Sequence, residues 1–82
     1  MKYRKKPIVI EAEQWFPGKE IEGVYRNISD NISLKFDYAW IDTLEGKMKV
    51  FPGDWIIRGI ENELYPCKDS IFKKTYEKIE FI

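Results

Sequence analysis

The apolar positions of this chain fall in short runs punctuated by turn residues, a pattern of short strands rather than long helices. Residues 38–67, YAWIDTLEGKMKVFPGDWIIRGIENELYPC, show it most clearly. Four apolar-rich runs are separated by Leu44-Glu45-Gly46, Pro52-Gly53-Asp54 and Glu61-Asn62, which predicts an antiparallel meander. A three-residue hairpin loop with Gly46 left-handed would pair Thr43 with Lys47, Asp42 with Met48, Ile41 with Lys49 and Trp40 with Val50. Tyr38, Trp40, Met48 and Val50 would then share one face, and Ile41, Lys47, Lys49 and Phe51 the other. Pro52 fixes its own φ and Gly53 supplies the positive φ of a type II turn. Asp54 is placed to accept a hydrogen bond from local backbone. Asparagine tolerates left-handed backbone, so a two-residue loop at Glu61-Asn62 would pair Ile60 with Glu63, Gly59 with Leu64, Arg58 with Tyr65 and Ile56 with Cys67. One face of that hairpin would hold Trp55, Ile57, Leu64 and Pro66, and the other Ile56, Arg58, Ile60, Tyr65 and Cys67.

The flanks add shorter elements. Residues 8–15, IVIEAEQW, read as a strand with Ile8, Ile10, Ala12 and Gln14 inward and Val9, Glu11, Glu13 and Trp15 outward. Phe16-Pro17-Gly18-Lys19 fits a type II turn. Residues 19–33 have partial helical spacing at Ile21, Val24, Tyr25 and Ile28, but Gly23, Asn27, Ser29, Asp30 and Asn31 argue for irregular structure. The stretch reads as a surface loop pinned by Ile21 and Val24, or as a binding loop. Residues 33–43 hold one broken strand or two short ones, SLKF and YAWIDT. Asp69 or Ser70 can cap a short helix, Ser70 to Thr75, packed through Ile71, Phe72 and Thr75. Tyr76 to Ile82 alternates as a closing strand with Ile79 and Phe81 inward, the alternative being a helix that continues through Ile79. The sum is a mainly β chain (α+β at most): a small antiparallel sheet or barrel of about five to six strands with one short C-terminal helix, in a single domain over residues 1–82.

Both faces of the predicted sheet are apolar, whereas antiparallel sheets usually alternate apolar and polar sides. Either the flanking segments curl the sheet into a small barrel, or apolar surface remains as an interface or ligand groove. Composition sharpens that choice. A chain of 82 residues needs reinforcement, and its single cysteine and absent histidine leave neither an intrachain disulfide nor a structural zinc cluster. A homo-oligomer is the remaining reinforcement. Fourteen basic residues balance 14 acidic ones, so there is no net field to gather nucleic acid or an anionic membrane. The basic residues 2–6 precede only Ile8-Val9-Ile10, too short for an export signal, and no apolar run spans a membrane. The expected location is the cytoplasm, with Cys67 reduced.

The available chemistry is that of binding. Without histidine the chain lacks the commonest general base and metal ligand, and it has no Ser/His/Asp set or Gly-rich phosphate loop. Asp54 reads as a turn residue, and Cys67 as a small buried thiol unless Lys68 or Arg58 lowers its pKa. We therefore expect no catalytic residue, no metal and no cofactor. The candidate ligand-binding residues are Arg58, Tyr65, Lys49, Trp40 and Trp55, cations among aromatics as in a ligand pocket. Arg58 would stack on Tyr65 as its cross-strand neighbour. Ile56, Ile60 and Phe51 are the candidate interface residues. Nucleic-acid binding would use Lys47, Lys49 and the aromatics; zero net charge and the acids Asp42, Glu45, Asp54, Glu61 and Glu63 stand against it.

The strings KYRKKPIVIEAEQW, WIDTLEGKMKVFPGDWIIRGIENELYPC and IFKKTYEKI together resemble a family of small phage- and prophage-encoded proteins of unassigned function. The most specific part runs from PGDWIIRG to YPC, and the loop over residues 16–33 lies outside the likeness. The resemblance carries over no functional residue. It implies a setting, a bacterial cytoplasm during infection or lysogeny, in which such proteins bind host proteins or defence signals. The leading expectation is a non-enzymatic binding protein that sequesters a small anionic, nucleotide-derived ligand or docks on a host protein. A single-stranded nucleic-acid binder and a virion-assembly accessory are the alternatives.

Overall fold

The computed structural model describes residues 1–4, 6–26 and 38–79. It is mainly β, with strands β1 (Glu11–Gln14), β2 (Ala39–Thr43), β3 (Gly46–Val50), β4 (Trp55–Arg58) and β5 (Leu64–Cys67), followed by helix α1 (Asp69–Thr75). All strand pairs are antiparallel and form two sheets, β1-β4-β5 and the hairpin β2-β3. The described residues form no closed barrel.

The predicted meander breaks at Pro52-Gly53. The type II turn forms as expected: Gly53 has φ +91° and the Asp54 amide donates to the Phe51 carbonyl at 3.0 Å. Asp54 accepts the Phe51 amide at 2.9 Å, again as expected. Turns of this type splay the flanking strands, because their twist opposes that of a hairpin. β3 and β4 therefore enter different sheets, and β1 pairs with β4 from Glu11 opposite Arg58 to Gln14 opposite Trp55. Beyond β1, Trp15 continues the pairing, its amide donating to the Asp54 carbonyl and its carbonyl accepting the Gly53 amide, both at 2.8 Å.

Both predicted hairpin registers are off by one residue in the same sense, each partner on the second strand lying one residue earlier than expected. The β2–β3 loop has two residues, not three, so Thr43 pairs with Gly46, Ile41 with Met48 and Ala39 with Val50. The Thr43 hydroxyl holds this loop, accepting the Glu45 amide at 3.0 Å and donating to the Gly46 carbonyl at 2.7 Å. Gly46 does take a positive φ, +107°. The β4–β5 loop has three residues, Ile60 to Asn62, with Asn62 left-handed (φ 66°) and Gly59 bonded to Glu63. Arg58 thus faces Leu64, Ile57 faces Tyr65, Ile56 faces Pro66 and Trp55 faces Cys67. A one-residue slip exchanges faces, so Val50 joins Ile41 rather than Trp40, and Arg58 and Tyr65 lie on opposite sides of their sheet.

The corrected register explains how two apolar faces are covered. Ala39, Ile41 and Val50 of the hairpin pack with Ile56 and Trp15 as a buried cluster, against which Ile21, Val24 and Leu64 rest. The opposite face of the three-stranded sheet holds Ile57, 1% exposed, with Trp55 and Tyr65. There Phe72 of α1 stacks on Trp55 with centroids 4.0 Å apart and planes 7° apart, and Tyr76 packs on Phe72 at 5.1 Å. Each face is covered within the chain, by a hairpin on one side and a helix on the other.

Other expectations shift at the element ends. β1 is shorter than residues 8–15; Ala12 and Gln14 are half-buried, but Ile8 is exposed and Trp15, read as outward, is 2% exposed. The Phe16–Lys19 turn forms, with Gly18 at φ +91° and the Lys19 amide on the Phe16 carbonyl at 2.9 Å. Ile21 and Val24 pin the following segment. α1 begins at Asp69 with Lys68 at the cap position, and no side chain caps it. Of its predicted inward residues only Phe72 packs, while Ile71 and Thr75 are exposed. Residues 76–79 form neither the closing strand nor a longer helix. The string SLKF, Ile28 and Phe81 lie outside the described residues.

Asp69 fastens the helix to the sheet. Its carboxylate accepts Trp55 Nε1 at 2.9 Å and Gln14 Nε2 at 3.4 Å, and it pairs with Lys73 at 3.1 Å. The Trp55 hydrogen bond, then that of Lys73, holds its pKa below the ordinary value. A depressed carboxylate stabilises the fold above its unfolded pKa, and that contribution is lost as pH falls through the folded pKa. Thermal unfolding followed from neutral to acid pH should therefore separate wild type from Asp69→Asn at neutral pH and bring them together in acid. A constant gap at every pH would contradict the clasp.

Candidate functional site

The β2–β3 hairpin turns its inner side to the core, and its outer side is half-buried or exposed throughout. Strand alternation places Trp40, Asp42, Lys47 and Lys49 on that outer side. Two rings extend the row: Tyr38 meets Trp40 edge-on at 5.9 Å and lies 6.2 Å from Phe51. A third ring arrives from a distant segment. Tyr25 bridges Trp40 through paired backbone bonds, its amide donating at 2.9 Å and its carbonyl accepting at 2.7 Å.

Lysine ammonium groups sit between these rings. Lys47 Nζ lies 5.7 Å from the Tyr25 centroid and 5.8 Å from that of Trp40. Lys49 Nζ lies 4.8 Å from Tyr38 and 5.5 Å from Trp40. Lys68, at the start of α1, lies 5.2 Å from Phe51. The Tyr25 hydroxyl donates to Asp42 at 2.8 Å, and this bond above all raises the tyrosine pKa, so the phenol stays protonated at neutral pH.

The acids that weigh against nucleic acid in the sequence are spatially dispersed. Glu61 and Glu63 belong to the β4–β5 end, and Asp54 is 7% exposed inside its turn. Glu45 sits at the hairpin tip, and Asp42 is engaged by Tyr25. Among the described residues, zero net charge therefore conceals a local excess of lysine on one aromatic face.

The predicted site residues do not come together in one place. Lys49, Trp40 and Phe51 come together on the outer hairpin face. Arg58 lies on the other sheet, donating to Asn62 Oδ1 at 2.8 Å and flanked by Glu11 at 3.9 Å and Glu22 at 3.7 Å. Trp55 and Tyr65 lie under α1, where burial and then a hydrogen bond with Tyr76 push the Tyr65 pKa up to about 12. Ile56 is 3% exposed in the core, so it offers no interface, whereas Ile60 is exposed in the β4–β5 loop. The Cys67 thiol donates to the Lys68 carbonyl at 3.6 Å. Tyr25 and Lys68 are the site residues that the sequence pattern does not point to.

The concave features lie elsewhere. A cavity of about 40 Å³ touches Arg58, Ile56 and Leu64. An open one of about 740 Å³ is bordered by Trp15, Lys19, Ile21, Tyr25, Arg26 and Ala39. Among the described residues no group of three His, Cys, Asp or Glu could hold a metal ion, and no helix is long and apolar enough to cross a membrane. No protein-family description, curated protein or solved structure matches the chain.

Proposed function

We propose that this is a non-enzymatic binding protein that takes single-stranded nucleic acid on the outer face of the β2–β3 hairpin. The observation that carries the reading is the alternation of rings and ammonium groups there, Lys47 between Tyr25 and Trp40 and Lys49 between Trp40 and Tyr38. Bases stack on aromatic side chains at about 1–3 kcal/mol each, with little regard to sequence, while cations meet the phosphates. In the free protein the ammonium groups lie near the rings. A stacking base displaces them, and the adjoining phosphate gives them a new partner. A nucleoside supplies only the base and inorganic phosphate only the charge, so each alone should bind poorly. An open face also suits a strand lying along it better than a mononucleotide, which needs a concave site to bury most of its surface.

Anisotropy of a fluorescein-labelled oligothymidylate at low salt is the test. Trp40→Ala, and the double change Lys47→Ala with Lys49→Ala, should each weaken binding about tenfold or more. Absence of binding at low salt, or affinity untouched by both variants, would sink the proposal.

A second reading keeps the small anionic, nucleotide-derived ligand. The cavity beside Trp15 falls in the size range of ligand pockets and is bordered by Lys19, Tyr25 and Arg26. In the phage setting implied by the resemblance, this would sequester a defence signal. A nucleotide-induced thermal shift lost in Lys19→Ala and retained in Trp40→Ala would favour it.

A further inference from the structure

We infer that the nucleic-acid track does not end at the hairpin but crosses Phe51 to Lys68, so that Lys47, Lys49 and Lys68 hold three successive phosphates. This rests on the reading of the hairpin face above and names the length of the bound strand and the line it follows.

The spacing comes from β geometry. Two residues along a strand advance about 6.6–6.8 Å, a repeat that an extended single strand can follow. Lys47 and Lys49 are one such step apart on β3, and Phe51 is the next. At that third step the ring is Phe51 and the cation arrives from elsewhere, Lys68 standing 5.2 Å from the ring centroid. Each step thus offers a ring and an ammonium group.

Asp54 is the positioning residue that brings the third pair together. One carboxylate oxygen accepts the Phe51 amide at 2.9 Å, and the other lies 3.9 Å from Lys68 Nζ. Asp54 is 7% exposed, so a phosphate does not meet its charge directly, whereas the Lys68 side chain is 65% exposed and accessible to a phosphate. At the opposite end, Asp42 stands beside Lys47, its carboxylate already bonded to Tyr25. Its negative charge disfavours a further phosphate beyond Lys47. The track therefore counts three phosphates.

Counterion release turns that count into a measurement. For single strands the logarithm of the binding constant falls with the logarithm of salt concentration by about 0.7 per phosphate neutralised. Between about 20 and about 200 mM salt, wild type should give a slope near −2 with labelled oligothymidylate, and Lys68→Ala and Lys68→Gln a slope near −1.4. Lys68→Arg should keep the wild-type slope. The alanine variant should also bind roughly tenfold more weakly at about 20 mM salt. Thermal unfolding of each variant checks that the fold is retained. A wild-type slope near −1.4 that Lys68→Ala leaves unchanged would overturn the extended track while leaving the hairpin reading in place. Wild type that binds no oligonucleotide, or binds a mononucleotide as tightly as an oligonucleotide, would overturn the hairpin reading itself.

Discussion

Trp15→Ala is expected to remove a large share of the stability of this protein. The indole is 2% exposed and lies in the buried cluster with Ala39, Ile41, Val50 and Ile56, where the hairpin meets the three-stranded sheet. Its Nε1 donates to the Lys19 carbonyl at 3.1 Å, which ties the following turn to the core. Truncating a buried tryptophan costs about 3–5 kcal/mol, because the cavity collapses only in part. A chain of 82 residues has about 4–12 kcal/mol in total. Trp15→Phe keeps a ring in the core and loses the N–H bond, and should cost about 1–2 kcal/mol. Urea denaturation measures both, with a lower midpoint and an unchanged slope marking a true stability loss. A cost under about 1 kcal/mol for Trp15→Ala would contradict the two-layer core.

Phe72→Ala is the second large effect, and Ile71→Ala is its control. Phe72 lies between Trp55, stacked at 4.0 Å, and Tyr76, tilted at 5.1 Å, and together these residues roof Ile57. The ring is half-buried, so its removal should cost about 2–3 kcal/mol, part burial and part ring pairing. In a domain of this size that lowers Tm by about 10–20 °C. Ile71, the adjacent residue, is 56% exposed, and alanine is the better helix former, so Ile71→Ala should change stability by less than about 0.5 kcal/mol. Equal losses from the two variants would mean that α1 packs by a different face.

The candidate site was partly legible in the chain. Period-two alternation puts Tyr38 with Trp40 and Lys47 with Lys49 whatever the pairing. The link between the two pairs was not legible, because it depends on whether the connecting loop has two residues or three. The Thr43 hydroxyl decides for two by bonding both sides of the turn. The expected stack of Arg58 on Tyr65 fails for the same reason at the β4–β5 loop, where one additional residue sends the partners to opposite faces. Tyr25 reaches the site by a bridge to Trp40, and Lys68 by its approach to Phe51 and Asp54. Neither contact leaves a periodic signal, because the residues it joins are far apart in the chain.

Local conformation is what the sequence determined by itself. Gly18, Gly46, Gly53 and Asn62 all take the positive φ assigned to them, because that preference resides in the residue and its immediate neighbours. The strand runs and the short C-terminal helix follow from the same short-range rules. Tertiary structure decided which strand partners which. The type II turn at Pro52-Gly53 splays β3 from β4, β1 takes the vacated edge, and α1 packs on the second apolar face through Phe72. That choice is made by competition for buried apolar area among segments distant in sequence. It leaves one hairpin face with its rings and lysines turned outward.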